Sequence, residues 1–407
     1  MPAGAPAAGA RDVSALRRLL IALIAPGAGP AAERLAGLTA GDWRTLDAMA
    51  RQHRLRPLLH FRRGDCPAIP PHLREEWRGA HRLAAMDAMV HRHQLVETVA
   101  ALEDAGFAPL ALKGAWLARH AYPEPGLRPL RDLDLLLTPD TVIPAWLALV
   151  AAGYSPWAAP ELPLEEIARL DKHMPPLRTP RGGMLELHQR LWEVDGRMDH
   201  AAPADDQGAA VRARAVRLEG VTYPAPADMV AHLIVHAVYD HRLDVGPLLL
   251  PDITFALAAA PVDWEAFWAE ARAGGWEAGA RLVLALVADH DPALGPVLAR
   301  TLPPGEPVPA ALVAAAPDLL LQNLDTRRSA GVLATLAARG PGAFWRRITA
   351  RRAMTGDSHT VARDLAAEGG FAGWAGDRLR RTVGELASAP VRRQSRDLAA
   401  LSRWLGK

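Results

Sequence analysis

The sequence predicts an α+β fold in which a small mixed β-sheet core is flanked by N-terminal and C-terminal helical regions. Helical periodicity dominates the first quarter of the chain and ends in a long amphipathic stretch over residues 73–105. Short apolar segments bounded by Gly and Pro follow, as is typical of strands. Helical patterns resume at residue 227 and continue to the end. We therefore predict three regions: a helical region (1–105), a small α/β core that carries the candidate site (106–210) and a second helical region (211–407).

Composition places the chain among globular proteins. Half of its 407 residues are hydrophobic and its mean hydropathy is close to zero, so it can bury sizeable cores and is not globally disordered. The net charge of +2 gives no general reason to expect nucleic acid, and the single cysteine, Cys66, excludes an intramolecular disulfide framework. No segment reaches the ~20 apolar residues of a membrane span, and no signal-peptide pattern opens the chain. We expect a cytoplasmic protein without a membrane partner.

Lysine is rare in this sequence. Of 47 basic residues, the lysines are Lys113, Lys172 and Lys407. Abundant Ala, Arg, Pro and Gly suggest a GC-rich bacterial genome, in which lysine tends to be replaced by arginine. A lysine directly before a glycine, as in Lys113-Gly114, is therefore informative, and this pair opens the stretch around which the core is predicted to be organised.

The predicted core alternates short strands and short helices. The pattern predicts a strand at 107–112 and a helix at 114–120 that begins at the Lys-Gly pair. A Pro-rich loop at 122–129, a second strand at 132–137 and a helix at 139–152, after Thr138, follow. Two further strands at 172–178 and 184–190 are joined by Thr-Pro-Arg-Gly-Gly, which is typical of a hairpin turn. A polar loop follows at 196–208, and four helices are predicted at 227–241, 246–260, 264–273 and 279–289.

Two carboxylates stand in the apolar strand 132–137. Asp132 and Asp134 alternate with leucines, so they lie on one face of the strand, ~7 Å apart along the backbone. Two like charges on a half-buried face repel each other and are costly to bury unpaired. A shared divalent cation removes this cost, and Mg²⁺ is usually held by one or two carboxylates together with substrate phosphates. The pair therefore predicts a metal site for phosphoryl chemistry.

A phosphate cradle and a third carboxylate are predicted beside this pair. The strand, the turn at Gly114 and the helix N-terminus offer backbone N–H groups and a dipole that favour a triphosphate, and Lys113 adds a positive charge. Glu186 lies on the same face of its strand as His188 and Arg190. Glu186 is the natural third ligand of a two-metal arrangement, which would stabilise an in-line displacement at phosphorus.

Three motifs resemble those of a known family: KG at residues 113–114, RDLDLL at 131–136 and LELH at 185–188. Together they are similar to the bacterial uncharacterised nucleotidyltransferase family of the DNA polymerase β-like superfamily, over roughly residues 80–260. The resemblance implies a nucleoside triphosphate (NTP) such as ATP as donor, Mg²⁺ (or Mn²⁺) as cofactor, and transfer of a nucleoside monophosphate (NMP) to an acceptor. It also implies that Asp132, Asp134 and Glu186 are metal ligands and that Gly114 allows the phosphates to approach.

The sequence departs from the wider superfamily in two ways that bear on how the nucleotide lies. The usual Gly-Ser or Gly-Gly pair is replaced by Lys113-Gly114-Ala115, and the spacing from Gly114 to Asp132 is longer, because it is filled by the Pro-rich loop.

Other candidates flank these residues, and each has two interpretations. Arg128 and Arg131 either bind phosphates or neutralise the carboxylates. His188 either orients a carboxylate or the acceptor, or is a structural histidine. His173, in the preceding predicted strand, is a second candidate for contact with the acceptor.

The preferred function is nucleotidyl transfer to a small molecule, a peptide natural product, a protein or an RNA end. The alternative is a catalytically inactive nucleotide-binding or protein-interaction module, in which the change at Lys113-Gly114 signals lost chemistry. A weaker third idea is a metal hydrolase built on His232 and His236, although the Glu of a His-Glu-x-x-His signature is absent and a core helix is favoured. Arg-rich segments at 346–352 and 378–381 are most simply solvated helix faces but leave contact with nucleic acid open.

Overall fold

The computed structural model describes residues 12–160, 162–192, 208–322 and 388–406, together with positions 330, 331, 333, 334 and 337. It confirms the α+β class, because a five-stranded mixed sheet lies between helical regions at both termini. Most of the polar loop predicted at 196–208 and the two Arg-rich segments lie outside the described residues. The division of the chain at residues 105 and 210 stays a prediction.

Five helices form the N-terminal region: α1 (Val13–Ile24), α2 (Ala32–Ala36), α3 (Ala40–Gln52), α4 (Arg56–Arg63) and α5 (Pro71–Asp104). The long helix predicted at 73–105 is confirmed as α5. It begins at Pro71. The N–H groups of the first helical turn have no partner within the helix, so proline, which lacks an N–H, costs no hydrogen bond there. Gly106, at φ +85°, follows the end of the helix. These helices enclose a core of their own, which includes Leu20, Trp43 and Trp77.

The central region contains β1 (Leu110–Ala111), α6 (Gly114–Trp116) with a π-helical turn (Leu117–Ala121), a 3₁₀ turn (Pro125–Leu127), β2 (Asp132–Leu136), α7 (Val142–Ala151), β3 (Ser155–Pro156), α8 (Leu164–Leu170), β4 (Leu177–Arg178) and β5 (Met184–His188). The sheet order is β1-β2-β5-β4-β3. β2 and β5 run parallel, and the other three pairs are antiparallel. The two strands with predicted site residues are therefore neighbours at the centre of the sheet.

Several elements are shorter than the sequence predicts. β1 covers two of the six predicted residues, and β4 covers only the end of the predicted strand 172–178. Helix α7 begins at Val142 and not at Pro139, because Thr138 and Thr141 form a hydrogen-bonded turn (Oγ1–Oγ1 2.6 Å) before it. His173, expected within a strand, forms a single bridge with His188.

Strand alternation separates an apolar face of the sheet from a polar one. The leucines at odd positions pack into the main hydrophobic core: Leu133, Leu135, Leu185 and Leu187. The opposite face of β2 and β5 carries the polar side chains: Asp132, Asp134, Glu186 and His188. This arrangement follows directly from the two-residue period and places all four polar groups on one side.

The C-terminal region continues with α9 (Ala209–Ala213), the hairpin β6 (Val216–Leu218) and β7 (Val221–Tyr223), α10 (Pro226–Val235) with a π-helical turn (His236–Asp240), α11 (Leu249–Ala259), α12 (Trp264–Ala273), α13 (Glu277–His290), α14 (Gly295–Thr301), α15 (Ala310–Leu320) and α16 (Ala389–Leu405). The main core includes residues of α10, α11 and α13 as well as the sheet. No helix in the described parts of the chain has the length and apolar character needed to cross a membrane.

Replacement of Gly126 tests how the loop before β2 packs on α5. A Cβ at Gly126 would lie 2.8 Å from both the backbone N and the Cα of Ala85, and this backbone cannot rotate away. We expect Gly126→Ala to lower the free energy of unfolding by about 1–3 kcal/mol or more. Gly79→Ala, in α5 with nothing within 4 Å, is the matched control and should stabilise the protein by about 0.5–1 kcal/mol. Equal effects in urea unfolding would contradict this packing.

A second prediction concerns acid stability. Burial, followed by the charge of Arg62, lowers the pKa of His290 from 6.5 to about 4. Between these two pKa values His290 binds a proton in the unfolded chain but not in the folded protein. Its contribution therefore lowers the free energy of unfolding as pH decreases from 6.5 towards 4 and is absent above that range. At pH 5 His290 alone should lower the free energy of unfolding by about 2 kcal/mol. Urea unfolding at about pH 7.5 and pH 5 should show that His290→Gln makes the difference between the two pH values about 2 kcal/mol smaller than in the wild type and that His72→Gln, at an exposed site, leaves it unchanged.

Candidate active site

The site is built where β2 and β5 pair. Asp134 lies directly opposite Glu186 in the parallel register, and His188 follows two residues later on the same face. One ligand atom from each of these three side chains lies within 4.8 Å of the others, which makes them a group able to hold a metal ion. Adjacent strands are only ~4.8 Å apart, so the register alone brings the two carboxylates together.

His188 holds the two carboxylates. It is 1% exposed, and its Nε2 lies 2.8 Å from Asp134 Oδ1 and 3.5 Å from Glu186 Oε2. Burial favours the neutral ring, but the hydrogen bonds to Asp134 and Glu186 outweigh it and raise the pKa of His188. The carboxylate of Asp134 can only accept, so Nε2 carries the proton and donates. The structure therefore places His188 in contact with both carboxylates.

Lys113 supplies the nearest positive charge. Its Nζ lies 3.3 Å from Asp134 Oδ2, and its backbone has φ +47° and ψ −116°, a conformation that residues with a side chain rarely adopt. Such strain costs about 1–3 kcal/mol and is concentrated at functional sites. Burial would raise the pKa of Asp134, but the charge of Lys113 and the His188 hydrogen bond hold it well below its usual range. Asp134 and Lys113 are therefore both charged.

Asp132 stands outside the close group of three. It begins β2, opposite Met184, two residue pairs before Asp134 and Glu186 and on the same face of the strand. Burial raises the pKa of Asp132 to about 6, and the negative charges of Asp134 and Glu186 add to the rise. Its carboxyl is thus close enough to sense the other two without sharing their hydrogen bonds to His188.

Gly114 packs closely under the loop that precedes β2. A Cβ at this position would lie 2.5 Å from Leu130 Cδ2 and 3.0 Å from Arg128 Nη1. The glycine is therefore explained by close packing within the protein, and its role in the approach of phosphates stays a prediction.

Arg128 pairs with Asp252 and not with the group formed by Asp134, Glu186 and His188. Its Nε and Nη2 lie 3.1 and 2.9 Å from the two carboxylate oxygens of Asp252 in α11, and the Tyr122 hydroxyl donates to the same carboxylate at 2.7 Å. Both Tyr122 and Arg128 are largely shielded from solvent, and burial, with the charge of Asp252, raises the pKa of Tyr122 well above its usual range. This network ties the loop before β2 to the C-terminal helices.

The remaining predicted residues lie at the edge of the site. Arg131 is exposed, and its charge adds to burial in lowering the pKa of His53 to about 4, so it lies towards the N-terminal helices. His173 meets His188 edge-on with ring centroids 5.4 Å apart, and its Nδ1 lies 3.0 Å from the carbonyl oxygen of Met174. The structure thus brings His173 near the group of three and places Arg131 elsewhere.

A second polar cluster was not predicted as a unit from the sequence. Lys172 Nζ lies 2.8 Å from Asp240 Oδ2, and His236 Nδ1 lies 3.4 Å from the same oxygen. The rarity of lysine was a usable signal for Lys172, but its partner lies 68 residues away and could not be read from a local pattern. His232 and His236 stack at 6.0 Å and do not belong to the metal-binding group found among the described residues, so the hydrolase idea gains no support.

The fold and the acidic group define an α+β protein with a site compatible with a divalent metal. Residues 39–290, well over half of the chain, match the model of a family described as uncharacterised nucleotidyltransferase. The chain belongs to this family, and the match extends beyond the region in which the sequence motifs resemble it. Family membership supports a transferase that uses an NTP. The comparisons found no match among curated proteins or among solved structures.

The Arg128–Asp252 pair gives a prediction for stability. Arg128→Leu leaves the Asp252 carboxylate buried without its cation, and breaking a buried pair in this way costs about 3–5 kcal/mol. Arg181→Leu is the matched control, because it breaks an equally bidentate pair with Glu97 that is open to solvent and should change stability little. Urea unfolding of both variants checks this prediction. Similar losses in the two variants would show that burial of the pair is not what matters.

Proposed function

We propose that this protein transfers an NMP group from an NTP to an acceptor at the Asp134–Glu186–His188 group. The observation that carries the proposal is the parallel register of β2 and β5, which sets Asp134 opposite Glu186 in a member of a nucleotidyltransferase family. We further propose that the fold is related to the DNA polymerase β-like superfamily, since carboxylates on neighbouring central strands are what the motifs of that superfamily imply. The Arg-rich, Lys-poor composition supports a bacterial origin.

The donor set fits a divalent metal ion. Asp134 and Glu186 supply two carboxylates within reach of a common ion, and Asp132 begins the same strand face. Carboxylate oxygens suit Mg²⁺ and Mn²⁺, and the hydrogen bonds of His188 fix their orientation. We assign Asp132, Asp134 and Glu186 as the residues that would hold Mg²⁺ or Mn²⁺. The ion would neutralise charge on the phosphates during transfer.

The protein's own groups have distinct tasks in this proposal. Lys113 balances Asp134 and approaches the triphosphate from the turn before α6, where Gly114 keeps the backbone free of a side chain. Glu186 either acts as a metal ligand alone or accepts the proton of the acceptor hydroxyl. Burial raises the pKa of Glu186, but the hydrogen bond from His188 outweighs burial and lowers it overall, so the carboxylate is unprotonated, as both roles require. Arg128 supports the loop through Asp252, and Arg131 and His173 remain candidates for contact with the nucleotide or acceptor.

The acceptor is proposed only by class. A small molecule, a peptide natural product, a protein side chain or an RNA end each carries the hydroxyl or phosphate that an NMP transfer requires. Transfer of label from an α-phosphate-labelled NTP to members of each class would identify it.

Calorimetry of NTP binding tests the donor site. The wild-type protein should bind at least one of the four NTPs, and only with Mg²⁺ or Mn²⁺ present. Asp134→Asn and Glu186→Gln should each weaken binding at least tenfold, because a contact with a charged group contributes about 1.5–3 kcal/mol and 1.4 kcal/mol is a factor of about ten. Glu165→Gln, at an exposed position of α8, is the matched control and should bind as the wild type does.

The outcomes separate the two classes of function. NTP binding that needs neither the metal nor the two carboxylates would support the inactive nucleotide-binding module. No binding of any NTP by folded wild-type protein would contradict the transferase proposal and favour a protein-interaction module.

A further inference from the structure

A cluster of buried polar side chains beside the carboxylates is not explained by the roles assigned so far. We call it the lysine–histidine cluster: Lys172, His232 and Asp240, which are buried, and His236, which is partly buried. Lys172 and His236 share Asp240 Oδ2, at 2.8 and 3.4 Å, and the ring of His232 stacks on that of His236 with an interplanar angle of 7°. Because burial of charged and polar groups is costly, the cluster requires a reason beyond packing.

The backbone places this cluster next to the metal-binding group. The carbonyl oxygen of Lys172 accepts a hydrogen bond from the backbone N–H of Gln189 at 2.9 Å, and Gln189 directly follows His188. Asp240 and His236 then connect Lys172 to the π-helical turn after α10. Such turns are rare and occur frequently at functional sites. The cluster therefore begins one residue beyond β5.

Charge interactions agree with this placement. After burial, the charge of Lys113 is the largest influence that lowers the pKa of His232 and of His236. His236 in turn acts on Asp134. His236 is therefore near both Lys113, which contacts Asp134, and Lys172.

His232 points to a ligand. It is 3% exposed, and neither ring nitrogen has a hydrogen-bond partner among the described residues. A buried polar group left without a partner costs about 1–3 kcal/mol, and His232, which stacks on His236, lies where a ligand bound beside the carboxylates would satisfy it. The ring stays neutral because burial lowers its pKa well below the usual value, and it therefore offers one N–H donor and one acceptor.

A triphosphate needs cations, and few remain near the carboxylates. Arg128 is held by Asp252, and Arg131 is exposed towards the N-terminal helices. Two of the three lysines in the chain, the partly buried Lys113 and the buried Lys172, both act on His236. Lys172 is thus the second cation of the site in a chain that otherwise uses arginine.

We propose that Lys172, His232 and His236 bind the β- and γ-phosphates of the nucleotide donor, an inference that rests on the proposed function. The Lys172 ammonium pairs with the phosphate oxygens, and the His232 N–H donates to one of them. Asp240 holds Lys172 and His236 in place through the contacts described above. The same residues would hold the pyrophosphate that leaves after the bond between the α-phosphorus and its bridging oxygen breaks.

Calorimetry with three probes tests the cluster: the NTP that the wild type binds, the corresponding NMP, and pyrophosphate, each with saturating Mg²⁺ or Mn²⁺. His232→Leu and Lys172→Gln should weaken the binding of NTP and pyrophosphate by about tenfold to 100-fold, the worth of one hydrogen bond to a charged group. Binding of the NMP, which lacks the β- and γ-phosphates, should not change. His290→Leu is the matched control, since His290 is equally buried with both nitrogens unpartnered but lies in α13, and it should leave all three affinities unchanged.

The design separates this inference from the proposed function. Wild-type protein that binds no NTP overturns both. Wild-type protein that binds NTP, together with a folded His232→Leu variant that keeps the wild-type ratio of NTP to NMP affinity, overturns the inference alone. Lys172→Gln leaves Asp240 buried without its cation and is open to unfolding, so circular dichroism accompanies each titration. His232→Leu removes no charge pair and decides the outcome by itself.

Discussion

The pairing of Asp134 with Glu186 across two parallel strands is the constraint on which the rest of the site depends. Like charges directly opposite each other destabilise a sheet, and Asp134 is almost fully buried. The protein compensates with His188, which bonds to both carboxylates, and with Lys113, which it holds in a strained backbone conformation to reach Asp134. A fold that only needed stability would place leucines here. The retained charges and strain are consistent with a site shaped for a cation and a phosphorylated substrate.

The C-terminal helices take part in the site. Asp252 of α11 holds Arg128 and Tyr122 of the loop before β2, and Asp240 after α10 holds Lys172 of the segment before β5. Both contacts are buried and join segments far apart in sequence. Each helix therefore fixes a loop on one side of the carboxylates, and rigid support of this kind is what a site needs to hold its groups in a productive geometry.

Features of the fold and of the site could be predicted from the sequence where they depend on residues close together in the chain. The faces of β2 and β5 followed from leucines alternating with polar residues, so the shared face of Asp132, Asp134 and Glu186 was predictable. The partner of Arg128 was not, since Asp252 lies 124 residues away and Arg128 looked equally suited to a phosphate. The start of α7 was missed because a Thr138–Thr141 turn takes the place of its first helical residues.

The sequence by itself determined the α+β class, the apolar and polar faces of the central strands, and the carboxylates that lie on the polar face. These depend on residue periodicity, which the local backbone geometry imposes. The tertiary structure decided that β2 pairs in parallel with β5, that His188 contacts both carboxylates, and that Lys113 meets Asp134 while Arg128 meets Asp252. These are non-local choices, made by the packing of distant segments and by the cost of burying a charge without a partner.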